Sequence, residues 1–498
     1  MKVSKKGWFT ILFWFLFNLL YINKIQAAGD KMEQRTMLKR KLPALLLSLA
    51  AAMPLTANAE KFDFKACVNS ALNQNPEMSV SSARIDQAEG ALKKAESSRL
   101  PQITLSVTGS NSDNALNVFG MKLQQRQASL GDFGFDTATT NEFMSGNYAY
   151  EPDGLNNPDA HTDFNTRIEM LVPVWNGGKI GSYEDQATAM IEAARKGDLA
   201  VQQFLTFNVY QAYEAVHAAR SFINVANQAK ETAKSYVKTT NNLVEQGVVV
   251  RSEFLSAKVN QSAADVALLK AQGQEQIALD TLKMLMGLDA SAEIDVANRV
   301  DLELPVDNVE ELLSMALNSN HELDAKRKEA ASSTFSVNAA KADYYPSFNL
   351  MLRQDWNDES LALSNGSYTV AGVVSWKITD FGVTGGAVDM ANASAAQKKA
   401  ALKSHENKLR LEVLSTWRKL EIAKKQVGSS VLAVQQADEA QNLIMKRYKN
   451  GVSTITEVLA GETQLGKARA DLVSAQYDVN VLKARLLLLT GRMDVQRI

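Results

Sequence analysis

The sequence predicts a mainly α-helical protein with a small antiparallel β part, built as two tandem repeats of helix, strand, strand and long helical hairpin. Three observations predict it: an internal register, the placement of proline, and four short stretches of alternating polarity. Shifting the chain along itself by 204 residues lays Gly178, Gly247 and Gly287 on Gly382, Gly451 and Gly491 without a gap, and pairs Asp185 with Asp389, Glu253 with Glu457 and Leu282 with Leu486. Upstream the register becomes 245 residues, pairing Asn75 with Asn320, Glu77 with Glu322 and Pro101 with Pro346. The first copy therefore carries 41 extra residues between Pro101 and Gly178. Self-similarity at a fixed spacing marks a repeated structural unit, here read as residues 60–300 and 301–498.

Residues 1–59 read as a targeting region. Lys2, Lys5 and Lys6 precede an apolar run from Trp8 to Tyr21; Met37-Leu-Lys-Arg-Lys precedes a second run from Leu42 to Leu55 and then Ala57-Asn58-Ala59. The second segment has the basic, apolar and small-x-small parts of a secretory signal, so cleavage is expected after Ala59. The first run is shorter than the about 20 residues a spanning helix needs. An uncleaved anchor there, or an upstream start that is not used, are the alternatives. The chain has 54 Lys+Arg and 55 Asp+Glu; without residues 1–59 it keeps 45 basic and 53 acidic side chains. That balance excludes a nucleic-acid binder recognised by charge. The single cysteine, Cys67, excludes an internal disulfide, and no lipoprotein cleavage pattern precedes it.

No proline occurs between Pro173 and Pro305 or after Pro346. Both stretches are rich in strong helix formers. Apolar residues recur at spacings of three and four, as in Phe207, Tyr210, Tyr213 and Val216, and in Leu409, Val413, Leu414, Trp417 and Leu420. A helix from about Ser182 to about Gln246 would be on the order of 100 Å long. The pattern breaks at Gly247 and Gly451, each closing one helix before a second that runs to Gly287 or Gly491. Upstream, Phe64 to Ser98 and Val309 to Ala342 are also expected as helix, broken at Asn75-Pro76 and Asn320-His321.

Between the helices the period is two. Ile103, Leu105 and Val107 alternate with Thr104, Ser106 and Thr108; Phe164 to Val172, Phe348 to Arg353 and Tyr368 to Trp376 alternate similarly. Each run has about the length of a tilted membrane-spanning strand, and a soluble antiparallel sheet is the alternative. Residues 111–160, rich in Asn, Asp, Gly and Phe, hold the 41-residue insertion and read as a long surface loop. Four strands cannot close a membrane barrel, whose minimum is about eight. If they lie in lipid the chain must oligomerise, and three chains would supply 12 strands. The helices carry Lys230, Glu231, Lys234 and Lys238, so they must project into water and pack as coiled coils.

The duplication, the signal-like start, and above all the stretches Leu243-Val-Glu-Gln-Gly-Val-Val-Val-Arg-Ser-Glu-Phe-Leu-Ser-Ala and Arg447-Tyr-Lys-Asn-Gly-Val-Ser-Thr-Ile-Thr-Glu-Val-Leu resemble the TolC family of outer-membrane efflux and secretion channels. The likeness spans residues 60–498. It implies a homotrimer with a 12-stranded β-barrel in outer-membrane lipid, continued by an α-helical barrel in the periplasm. It further implies docking with a periplasmic adaptor protein and an inner-membrane exporter.

By position in the motif, the resemblance makes Glu457 and its counterpart Glu253 carboxylates ringing the tunnel aperture, a ring that would favour cations. Thr454-Ile-Thr-Glu457 is equally a helix-capping box, and both roles can coexist. Tyr448 matches a tyrosine that holds the tip closed, with Glu253 or Ser252 as its expected partner. Ser453 stands where an arginine is expected in the gate, and Ala460 where a second aspartate is expected, with Arg251, Arg447 or Lys449 as candidate substitutes. Gly247, Val248, Gly451 and Val452 at the tip are the expected adaptor contacts, although turn geometry alone explains the glycines.

No catalytic constellation appears, no cofactor motif is present, and His161, His217, His321 and His405 lack metal-ligand spacing. The leading expectation is a passive exit duct of a tripartite efflux system. Type I protein secretion through the same duct is the nearest alternative, and a non-transporting trimeric coiled-coil surface protein is a third.

Overall fold

The computed structural model describes residues 60–494, so the expected targeting region 1–59 and its cleavage site lie outside the described residues. Strand β1 (Glu60–Phe62) leads into helices α1 (Phe64–Gln74) and α2 (Pro76–Ser97). Asn75 separates them. Its N–H still bonds Ala71 O, but its backbone is extended and its Oδ1 accepts from Glu77 N at 2.9 Å, so one residue ends α1 and caps α2. Helices α8 (Val309–Ser319) and α9 (His321–Lys341) are joined in the same way at Asn320, whose Oδ1 accepts from Leu323 N at 2.9 Å.

Two long hairpins follow the short helices. The first is α6 (Lys179–Glu245) and α7 (Arg251–Met286); the second is α10 (Val383–Lys449) and α11 (Ile455–Leu489). Helices α6 and α10 each have 67 residues, on the order of 100 Å at 1.5 Å per residue. Each hairpin is anchored at the asparagine break. Asn75 Nδ2 donates to Leu285 O at 2.9 Å, and Asn320 Nδ2 to Leu489 O at 3.1 Å. A Cβ on Gly287 would lie 2.8 Å from Gln74, and one on Gly491 would collide with the Ser319 carbonyl. Glycine is needed there so that the hairpin end can press against the break.

The largest core sits where α1 crosses α6. Phe64, Tyr210, Tyr213, Val216, Leu282, Met286 and Met493 are buried together, and Phe64 meets Tyr210 edge-on at 5.5 Å. A short strand β4 (Ile294–Val296) pairs in parallel with β1 beside this core, a pairing of three residues that no alternation in the sequence announced. A second core joins α8, α9, α10 and α11 through Leu312, Leu323, Leu409, Val413, Leu420 and Leu486. Among the described residues no helix is long and apolar enough to cross a membrane.

Strands β2 (Gln102–Ser112), β3 (His161–Trp175), β5 (Ser347–Asp358) and β6 (Gly366–Ser375) form one antiparallel sheet in that order. It is open, with β2 and β6 at its edges. The junctions that lead to α2, α6, α9 and α10 all lie at one end. The register sorts side chains largely by polarity, since directly opposite residues share a face. Glu169 pairs with Thr104 and Arg353, Arg167 with Ser106 and Asp355, and Asn165 with Thr108 and Asn357. The other face holds Ile103, Leu105, Val107, Ile168, Met170, Leu350, Leu352, Val370 and Val374. Burial runs opposite to a soluble sheet: Asp163, Asp355 and Asn357 are buried, while Leu105 and Val374 are 65% and 69% exposed.

The segment expected as a loop over 111–160 is folded. Strand β2 continues to Ser112, and α3 (Ala115–Gln124), a 3-10 turn (Gly131–Phe133), α4 (Thr137–Met144) and α5 (Asp153–Asn156) follow. Asn114 and Asp136 cap α3 and α4, and Phe119 packs edge-on against Phe133 at 4.9 Å. Composition rich in Asn, Asp and Gly supplied caps and turns rather than an irregular chain.

Candidate functional site

The turns of the two hairpins meet at the end of the helices remote from the sheet. Val248 N bonds Leu243 O at 2.9 Å in the first turn, and Val452 N bonds Arg447 O at 3.0 Å in the second. Gly247 and Gly451 take φ of 73° and 70°, the left-handed conformation that reverses the chain after a helix. A Cβ on Gly451 would stand 3.3 Å from Val248 Cγ1, whereas one on Gly247 would meet open space. Val248 and Val452 are both exposed.

Tyr448, in the last turn of α10, is 0% exposed. It packs with Leu243, Ala257, Ile455 and Val458, which come from all four hairpin helices or their first turns. Its hydroxyl donates to Glu253 Oε2 at 3.2 Å and lies 3.0 Å from Thr240 Oγ1, which then donates to it. Burial and the neighbouring Glu253 charge hold the phenol above its ordinary pKa, against the Thr240 hydrogen bond that lowers it. It therefore stays a neutral donor at physiological pH. Of the two partners expected for Tyr448, the structure brings Glu253 to it and leaves Ser252 exposed, outside the network.

Glu457 is exposed and held by its own turn. Its N–H bonds Thr454 Oγ1 at 3.3 Å, and its carboxylate accepts from the Ser453 hydroxyl. The capping geometry is thus present on the Thr454 side, while Ser453 occupies the carboxylate. Glu253 and Glu457 are not joined within one chain. The first turn differs, since Val250 at its N-cap offers no side-chain oxygen.

One turn deeper lies a second polar cluster that the sequence reading missed. Tyr236 on α6 donates to Glu462 Oε2 at 3.0 Å, and Gln441 Nε2 donates to Tyr236 Oη and to Val458 O at 3.0 Å. Glu462 is 8% exposed, and burial raises its pKa above the ordinary carboxylate value, against the Tyr236 hydrogen bond. A Cβ on Gly461 would collide with the Gln441 amide oxygen. A signal was present: Glu462 interrupts the apolar stripe Ile455, Val458, Leu465, all of which are buried. Among the described residues no group of three or more His, Cys, Asp and Glu is placed to hold a metal ion.

A sequence profile of the outer membrane efflux protein family matches residues 67–288 and 312–492. The outer membrane efflux protein BepC of Brucella suis biovar 1 is 21% identical over 346 residues, 68% of this chain and 75% of that protein. The multidrug resistance outer membrane protein MdtP of Escherichia coli O157:H7 is 25% identical over 46% of each chain. The alkaline protease secretion protein AprF of Pseudomonas aeruginosa is 23% identical over 59% of this chain and 62% of its own. Among solved structures, CusC superimposes with a TM-score of 0.71 at 16% identity, covering 89% of this chain and 95% of that one. That likeness is one of fold.

Proposed function

The chain belongs to the outer membrane efflux protein family, and from that premise we propose that it is the exit duct of a tripartite efflux system, a passive channel driven by an inner-membrane pump. The observation that carries this is the inverted sheet: apolar side chains exposed on one face, buried carboxylates and amides on the other, and two unpaired edges. In hydrocarbon an unpaired edge leaves backbone groups unsatisfied at several kcal/mol each, about the cost of a lost hydrogen bond in an apolar solvent. Three copies would close 12 strands with the polar face inward. Trp175, Tyr345 and Trp376, exposed at the helix end of the sheet, have the amphipathic chemistry of an interfacial girdle. The hairpins then reach on the order of 100 Å into the periplasm. The organisation that suits this is a targeting region 1–59 and two units, 60–300 and 301–498.

In this reading the tip is the gate. Tyr448 ties the second hairpin to the first through Glu253 and Thr240, with Ser252 and Ser453 beside the aperture. Glu253 and Glu457 from three copies would ring it with acid, favouring cations. Gly247, Val248, Gly451 and Val452 present the outermost surface to an adaptor. The similarity to AprF favours protein secretion through the same duct as a second reading. Planar-bilayer recording of the detergent-purified oligomer tests the first: discrete cation-selective steps are expected, and divalent block should weaken in Glu457→Ala. A monomer without conductance would sink the duct, and unaltered divalent block would sink the acid ring alone.

A further inference from the structure

The insert between β2 and β3 has no counterpart in the β5–β6 hairpin, which closes with residues 359–365. It lies on the polar face of the sheet. Gln125 Nε2 donates to Asp163 Oδ1 at 3.0 Å and to Thr162 O at 2.9 Å, and its Oε1 is 2.7 Å from His161 Nε2. Asn357 Nδ2 donates to Asp163 Oδ2 at 2.9 Å and reaches Gln124 Oε1 at 3.3 Å, while Arg126 bonds Gly366 O at 2.7 Å. One end of α3 is thereby fastened to β3, β5 and the start of β6. The insert holds its own shape through Lys122 and Asp132, paired at 2.6 Å, and Phe119 against Phe133.

Helix α3 is two-sided. Val118 and Gln125, seven residues apart, are buried, while Leu116 and Leu123, also seven apart, are 79% and 48% exposed on the opposite side. The leucines thus point away from the polar face on which the helix is seated. We infer that residues 113–160 form an outer constriction of the duct, seated on the lumen face by Gln124, Gln125 and Arg126, with Leu116 and Leu123 turned toward the inserts of neighbouring copies. The unpaired edges of β2 and β6 require those copies, and closure with the polar face inward sets the inserts face to face across the mouth. The inference rests on the oligomeric duct proposed above. A duct with this insert would be narrowed at both ends, at the tip by Tyr448 and at the mouth by α3.

The test is planar-bilayer conductance in a Tyr448→Phe background, which relaxes the tip so that the mouth can limit the current. Replacing residues 113–160 with the 359–365 turn of the second hairpin is expected to raise unitary conductance by a factor on the order of two. A milder variant, Gln124→Ala with Gln125→Ala, keeps the insert and is expected to add flickering transitions to the larger level. In Leu123→Cys, a bulky cationic thiol reagent added from the mouth side should reduce the current. Unchanged conductance in the replaced variant, together with no effect of the reagent on Leu123→Cys after labelling is verified by mass, would overturn the constriction. Absence of any current from the parent protein would instead sink the duct reading beneath it.

Discussion

The two hairpin tips share a backbone and differ in chemistry. Each reverses at a left-handed glycine after a 67-residue helix, yet across the contact the second hairpin donates from Tyr448 to Glu253 and from Gln441 to Tyr236, while the first donates from Tyr236 to Glu462 and from Thr240 to Tyr448, and only the second turn has a side-chain cap, Thr454. The difference extends along the hairpins, where Lys230 with Asp265 closes the first at 3.1 Å and Asp438 with Arg469 closes the second at 3.0 Å with the polarity reversed. Each hairpin thus fills a different role at each bond, because the residues at equivalent positions differ. Asymmetry between tips of equal depth makes a contact that can be opened at particular bonds.

Breaking that contact at its largest side chain should have the largest effect. Tyr448→Ala removes a fully buried aromatic from between the hairpins and is expected to cost about 3–5 kcal/mol, read as a drop in the thermal midpoint of the detergent-solubilised protein. An unshifted midpoint would mean that the tip opens independently of the rest.

The glycines sharpen the comparison next. Valine at either Gly247 or Gly451 must adopt positive φ, a strain of about 1–2 kcal/mol. Only at 451 does the new Cβ also meet Val248, at 3.3 Å. Gly451→Val should therefore be the less stable of the two, and equal losses in parallel melts would count against contact between the turns.

A smaller effect isolates the hydrogen bond. Tyr448→Phe is expected to cost about 1 kcal/mol, and Glu253→Gln somewhat less, since it keeps an acceptor. In a double-mutant cycle the pair should couple by at least about 0.5 kcal/mol; strict additivity would remove Glu253 as the partner.

The smallest effect is conditional on pH. Glu462 has a native pKa above its ordinary value of 4.5 because burial disfavours its charged form, so the folded tip binds more protons than the unfolded chain in the window just above that value. Its contribution is complete below the ordinary pKa and is lost as pH rises through the raised one. Glu462→Gln should flatten that slope, gaining relative to the parent as pH increases. Identical pH profiles of the two proteins would show that Glu462 titrates outside this window.

Legibility in the sequence followed physical range. Helix positions were readable because proline-free runs of strong helix formers have a local period, and the asparagine breaks were readable because Asn-Pro and Asn-His interrupt that period at capping residues. The β1–β4 pair was not, because three residues carry no period and their pairing spans more than 230 positions of chain. The insert was misread as an irregular loop because its helices are short and rich in residues equally common in turns. At the tip, Tyr448 and Glu253 were visible through a motif, whereas Tyr236, Gln441 and Thr240 each look like an ordinary polar position on a helix surface. Only packing of α6 against α10 and α11 turns those surfaces inward.

The sequence by itself determined the long helices, their glycine reversals, the alternating strands and the membership of the family, since each is written in local periodicity or in short motifs. The tertiary structure decided which polar side chains became partners. It also laid the insert on the polar face of the sheet and left the apolar face bare. Those outcomes depend on groups tens to hundreds of residues apart reaching within about 3 Å, the range over which a hydrogen bond acts, and no local pattern in a chain encodes that distance.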